Sequence, residues 1–435
     1  MRNFTNYIII SLFFGLLFSC NDNEPVQVYA DVSILSPAKY TEFDVSDTIM
    51  LGVQVSSAGR NVDVTVTLKN GNGIPVMPSI KVENADTGSD ITIPFILSDS
   101  TLAGGLYHLY AGTISNSAAS GRSVPVYINE RPKRLQSTWF VTRNNTSELS
   151  VVVFDAGLDK MASFTKPGDY AGSDINSTTR QFVVAGSHSG DLVAYNVGDI
   201  SEAWRASGIP NPVQPYFTLV DFYEDLLLAG FHEGFSRGYN QAGRVAYSTQ
   251  NSGYTYPDFV MPFGPYLISA TTQKSNVNQK WLYVNYLQGG GLLNTKPVNF
   301  SPVGFAAGAA GKVLVFGNDE GDLFSTWLLD PESGLITRPY EPFYLPGEKL
   351  VATASVSKQT TLLATEEAIY EYISENTINH LFDFDNAGVL SYEPLSERIW
   401  LADNETFFIM DFYGNQIHTM QFDGDILNLH FLYNQ

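Results

Sequence analysis

Six histidines, His108, His188, His232, His380, His418 and His430, are the side chains best suited to hold zinc or carry protons, and their spacing gives them no recognisable motif. No two sit at the spacing of a zinc-binding helix, and the single cysteine, Cys20, cannot complete a finger. Nucleotide chemistry would announce itself as a phosphate loop, and the chain has none. Gly289-Gly290-Gly291 reads as a turn between strands.

Carboxylates crowd three short segments: Asp383-Phe384-Asp385-Asn386-Ala387-Gly388, Asn318-Asp319-Glu320-Gly321-Asp322 and Asp423-Gly424-Asp425. Calcium uses such oxygens, but an EF-type loop needs ligands at alternate positions and a distant bidentate Glu, and Ala387 fills one ligand position. These segments therefore read as solvated turns. A glycosidase pair is fixed by geometry in space, which leaves that chemistry open at this level. No catalytic residue, metal ligand or cofactor site is assigned.

Aromatic rings carry the best functional signal. Tyr239, Tyr247, Tyr254, Tyr256 and Phe259 fall in a stretch rich in Gly, Ser, Asn and Gln, where flat apolar faces beside amides suit a glycan or a peptide. Trp204, Tyr216 and Phe217 flank Pro210-Asn211-Pro212 and are placed at the rim of the same face. The competing reading is sheet packing, since aromatic residues are common in strands. The ligand-binding set expected here is Trp204, Tyr216, Tyr239, Tyr254, Tyr256 and Phe259.

Compartment is decided at the front of the chain. Arg2 precedes the apolar stretch from Tyr7 to Phe18, which is too short to span a bilayer and reads as a signal peptide over residues 1–19. The segment Leu17-Phe18-Ser19-Cys20 resembles the lipobox of bacterial lipoproteins, although Phe18 is bulkier than that family's usual residue. The resemblance implies that Cys20 becomes a lipidated N-terminus, and several acyl chains hold a protein at a membrane without a transmembrane helix. Residues 20–30 then form a flexible tether. Its Asp22 and Glu24 make a sparse version of the acidic tract that follows the lipidated cysteine in Bacteroidetes surface lipoproteins. The expected location is the outer membrane, on the cell surface or else facing the periplasm. Asp47-Thr48-Ile49 and Asp99-Ser100-Thr101 resemble the short O-glycosylation motif of exported Bacteroidetes proteins.

With one cysteine, the exported part must fold by apolar burial without a disulfide framework, and 435 residues at 44% apolar content suffice for two cores. The formal charge is −21, and losing the leader removes Arg2 and no acid. Nucleic acid is disfavoured as a partner, because that field repels phosphate.

Residues 31–130 alternate as half-buried strands, clearest in Val62-Asp63-Val64-Thr65-Val66-Thr67-Leu68, with a hairpin signal at Asn70-Gly71-Asn72-Gly73. Evenly spaced strands over this length suit an immunoglobulin-like (Ig-like) β-sandwich without the Cys-Trp-Cys core. After a basic hinge, Arg131-Pro132-Lys133-Arg134, the chain repeats. Apolar strands end at Thr142, Gly186, Gly230, Ala270, Gly317, Ala364 and Ala402. Their spacing of roughly 40 residues is that of propeller blades. The second elements Leu149 to Asp155, Leu192 to Asn196, Phe324 to Asp330 and Phe407 to Asp411 close on Asp or Asn, whose short side chains can cap a turn.

Residues 135–435 are thus expected to form a β-propeller, with seven blades as the leading count and six or eight as alternatives. It resembles WD-type bacterial propellers without the Gly-His and Trp-Asp dipeptides of true WD40 repeats. A leftover alternating strand, Ile426 to Tyr433, should complete the blade that opens at Trp139 and remove an exposed edge.

The whole reads as an all-β, non-catalytic lipoprotein, an Ig-like domain followed by a propeller, anchored to the membrane and binding a protein partner or an extracellular glycan or peptide. By resemblance to Bacteroidetes surface lipoproteins it would work beside a SusC/SusD-like importer. Two alternatives stand beside it: an envelope assembly scaffold with no small ligand, and a propeller glycoside hydrolase or lyase.

Overall fold

The computed structural model describes residues 30–434, apart from 57–61, 87, 99–101, 115–118, 131, 146, 250–251, 339–347 and 374–376. Cys20, the leader, most of the tether and the segment Asp99-Ser100-Thr101 lie outside the described residues. The chain divides into two compact units that meet in sequence between Pro132 and Lys133.

In the first unit, Asp31–Ser36, Thr48–Ser56 and Asp90–Ile96 form a three-stranded sheet. Thr41–Asp44, Ala119–Asn129, Gly105–Ile114, Val62–Lys69 and Ile80–Ala85 form a five-stranded one. Alternation places one set of side chains inward from each. Ile49, Leu51, Val53 and Val55 from the smaller sheet share a core with Val64, Val66, Leu68 and Leu109 from the larger. Each such buried side chain contributes about 1.5–3 kcal/mol of transfer free energy, and this core stands in for the missing disulfide.

The second unit holds seven four-stranded antiparallel sheets among the described residues. They are numbered here in chain order. Sheet 1 is built from both ends of the unit: the final strand Asp425–Tyr433 pairs with Leu135–Asn145, which pairs with Glu148–Asp155 and then Lys160–Pro167. The pairing begins at Leu135 opposite Tyr433, earlier than the Trp139 start read from the apolar run. Polar Gln136 and Ser137 interrupt the apolar character of that strand's first residues.

Sheets 2 to 7 open with Gly172–Asn176, Phe217–Tyr223, Thr255–Phe263, Ser301–Ala307, Leu350–Ser355 and Val389–Glu393. Each opening strand lies against the opening strand of the next sheet. Asp425–Tyr433 touches those of sheets 7 and 2, so these inner strands close a ring.

Packing between neighbouring sheets explains the repeat. The second strands are covered on both faces, as in Gln181–Ala185, every residue of which is buried, so they read as unbroken apolar runs. Adjacent residues of one strand serve opposite neighbours. Trp139 stacks on Phe182 of sheet 2 at 4.9 Å, while Phe140 meets Phe407 of sheet 7 edge-on at 4.9 Å. The small residues ending several of these strands are steric necessities. A Cβ on Gly186 would lie 2.1 Å from the Ser189 carbonyl oxygen, and one on Gly317 would lie 2.4 Å from that of Ser301.

The polar residues closing the third strands cap turns. Asp155, Asp330 and Asp411 each accept two backbone N–H groups of the turn that follows. Asn196 differs: its amide donates to Ser201 Oγ, and Asp199 accepts the Ser201 N–H instead. Asn240 performs the same capping in sheet 3, accepting from Ala242 and Arg244.

Candidate functional site

Antiparallel geometry gathers the loops that precede each inner strand, and those that follow each second strand, at one end of the ring. At this end a backbone bond ties the loop of sheet 2 to that of sheet 3, and further bonds close the loops within sheets 3 and 4. Tyr216 donates to the Ser187 carbonyl, His232 to that of Tyr216, and Lys274 to that of Tyr254.

On this platform Tyr254 is 79% exposed, the most open of the expected binding rings. Two residues on, Tyr256 packs against the His232 imidazole, ring centres 5.0 Å apart. Thr272 stands opposite Tyr256 and Lys280 opposite Thr272, so a row of polar side chains crosses sheet 4. Asp258, in the bulge between Pro257 and Phe259, accepts a bond from Thr272 Oγ1 and lies 3.6 Å from Lys280 Nζ.

Burial tunes these groups. It lowers the pKa of His232, helped by the charges of Lys274 and His188, so the ring is a neutral imidazole at pH 7. Burial also raises the Asp258 carboxyl, against the pull of Lys280 and Thr272, and raises the Tyr256 hydroxyl. The result is a mouth with one open ring, one half-buried ring and a row of hydrogen-bonding groups that includes the Asp258–Lys280 pair.

The remaining expected residues separate. Tyr239 is only 5% exposed and stacks on Trp204 at 5.7 Å, while Gly243 covers the Trp204 ring. Both rings are committed to packing in sheets 2 and 3, because strand alternation turned them toward the neighbouring sheet. Tyr247 is buried as well, its hydroxyl donating to the Tyr286 carbonyl. Tyr216 is half-buried and edge-on to Phe217 and Phe231. Phe259 is partly exposed, away from Tyr254, and lines a cavity of about 320 Å³ with Val303, Phe305 and Val351 from the inner strands of sheets 5 and 6.

A second polar group lies at the ring's closure, and nothing in the sequence marks it. Ser173 Oγ is 2.8 Å from His430 Nε2, and His430 Nδ1 is 3.4 Å from Asp174 Oδ1. Asp174 is in turn paired with Asp221, whose pKa stands well above the usual carboxylate range through burial and the Asp174 charge. Tyr170 completes the chain at 2.9 Å from Ser173 Oγ, its own pKa pushed up to about 12 by burial.

The order Ser-His-Asp resembles a nucleophilic triad, but Ser173 is 3% exposed and its oxygen is already held by Tyr170. A nucleophile must reach its substrate. The chain therefore bridges the inner strands of sheets 1, 2 and 3.

The acidic turns are also engaged locally. Asp319 accepts the N–H groups of Gly321 and Leu323, Asp383 pairs with His380 at 2.9 Å, and Asp425 faces Arg143 at 3.7 Å. Among the described residues no group of three His, Cys, Asp or Glu side chains converges as metal ligands would.

No family model matches this chain, and no curated protein matches it. Solved structures do. A quinonprotein alcohol dehydrogenase-like protein from Bacteroides thetaiotaomicron aligns over 93% of this chain and 99% of its own, with a TM-score of 0.50 at 10% identity. That share exceeds the second unit alone, so the likeness reaches into the first. The Cps50 β-propeller domain of Myceliophteria thermophila covers 59% of this chain and 87% of its own, with a TM-score of 0.45 at 9% identity. Hydrazine synthase of Kuenenia stuttgartiensis covers 66% and 96%, with a TM-score of 0.46 at 9% identity. At such identity the likeness concerns the fold alone: all-β, with a propeller-like ring.

Proposed function

We propose that this chain is a membrane-anchored binding protein, lipidated at Cys20, in which an Ig-like sandwich carries a seven-bladed propeller that captures an extracellular glycan or peptide. The observation that carries this reading is an open Tyr254 ring two residues from Tyr256, whose ring packs against His232 of the neighbouring sheet. A rigid exposed ring offers a stacking face at small entropic cost, and the neighbouring imidazole, Thr272 hydroxyl and Asp258–Lys280 pair supply hydrogen bonds.

Anchoring at the outer membrane, facing the cell exterior, would place this mouth among external polymers. Work beside a SusC/SusD-like importer would give the captured ligand a destination. The leader and the lipobox-like segment support that location.

Two measurements test this together. Radiolabelled palmitate should enter the whole chain expressed in a lipoprotein-processing host and should be lost with Cys20→Ser. The mature protein should give a saturable signal on a glycan or peptide array, weakened about tenfold or more by Tyr254→Ala with Tyr256→Ala, since each lost ring contact is worth roughly 1–3 kcal/mol. An unchanged signal in the double variant would reject this face. Co-purification with an envelope protein and no array signal would favour the scaffold reading.

A further inference from the structure

At the opposite end of the ring from Tyr254, a cavity of about 510 Å³ opens between sheets 1 and 7. Its walls are apolar: Leu135, Leu158, Leu395, Trp400, Ile409 and Ile417. Leu395 and Ile417 are about half exposed, and Leu158 is held at φ +67, a conformation costly for a branched side chain. Lys133, Arg134 and Arg398 line the same cavity.

Only one acid is among the lining residues, and its charge is engaged. Glu393 accepts the N–H groups of Leu395 and Ser396, the Ser396 hydroxyl and the Tyr433 hydroxyl. Those donors hold its carboxyl below the ordinary range despite burial. Asp411, which feels the Arg398 charge, caps its own turn. Lys133 Nζ sits 4.0 Å over the Tyr433 ring, which fixes one cation at the rim. Three cations beside an apolar recess stand out in a chain of net charge −21.

We propose that this cavity binds a small amphipathic organic anion, a monocarboxylate with an aliphatic body. Its volume falls within the range of small-molecule sites. The apolar walls would take the body by the hydrophobic effect, and Arg398 with Lys133 and Arg134 would select the head, since a guanidinium matches a carboxylate in shape and charge. The site is independent of the face proposed above and needs neither Tyr254 nor lipidation.

The test is titration calorimetry of the mature protein with dodecanoate below its micellar concentration, with dodecanol as the uncharged control. Dodecanoate should bind saturably at one site, and dodecanol at least about tenfold more weakly, the factor expected for losing a charge-assisted hydrogen bond. Arg398→Gln should weaken dodecanoate by about tenfold and leave dodecanol unchanged. Leu395→Asp, at a half-exposed turn position, should weaken both. Equal affinity for the acid and the alcohol, unchanged binding in both variants, or no saturable binding would each overturn the proposal.

Discussion

The His430 imidazole, on the last strand of the chain, lies 2.8 Å from the Ser173 hydroxyl, 257 residues earlier, and this bond joins sheet 1 to sheet 2 where the ring closes. It extends through Asp174 to Asp221 on the inner strand of sheet 3. The closure is therefore secured by side chains as well as by the backbone ladder between Asp425–Tyr433 and Leu135–Asn145.

His430→Ala should lower stability by about 1–3 kcal/mol, because removing one partner leaves buried polar groups short of a bond. Chemical denaturation at pH 7 measures this. An unchanged midpoint would mean that the bond adds nothing to closure.

Asp221 gives the closure a pH dependence of known sign. Its folded pKa is raised, so its contribution is fully present below the unfolded pKa and is lost as pH rises through the folded value. Asp221→Asn, which keeps a donor for Asp174, should remove that decline and make the variant relatively more stable at alkaline pH. Denaturation midpoints of both proteins from pH 4 to 9 check it, and parallel curves would refute the raised Asp221 pKa.

Lys166 shows the opposite case. It is 3% exposed, and burial pushes its amine down to about 8, against the attraction of Asp191 and Asp169. The unfolded chain then binds more protons between about pH 8 and the ordinary lysine value near 10.4, so this group's contribution rises with pH across that window. Lys166→Met should flatten the rise, visible in the difference between the two proteins' pH–stability curves.

Asn240→Ala should cost about 0.5–1.5 kcal/mol, because the turn between the third and fourth strands of sheet 3 loses its acceptor for the Ala242 and Arg244 N–H groups. Asn240→Asp keeps the acceptor and should recover most of the loss. Thermal melting of the three proteins distinguishes a capping role from a generic surface effect.

Trp139→Ala should cost about 3–5 kcal/mol, since the ring is 1% exposed and stacked on Phe182 between two sheets. A loss below about 1 kcal/mol would mean that the neighbouring sheets collapse into the space.

Local chemistry made much of the fold legible. Alternation in Val62–Lys69 and Asp425–Tyr433, unbroken apolar runs such as Gln181–Ala185, and the capping residues Asp155, Asp330 and Asp411 act over a few neighbours, so the sequence carries them directly. What tertiary structure decided was which groups of equal type meet solvent and which meet each other. Tyr239 and Tyr254 are the same residue in the same polar stretch, yet one stacks under Trp204 and the other stands 79% exposed, because strand side and the neighbouring sheet govern burial. Ser173 and Asp174, Asp221 and His430 come from three separate strands, and His430 reaches the others only because the final strand returns to the first sheet; a bond formed by ring closure has no local signature.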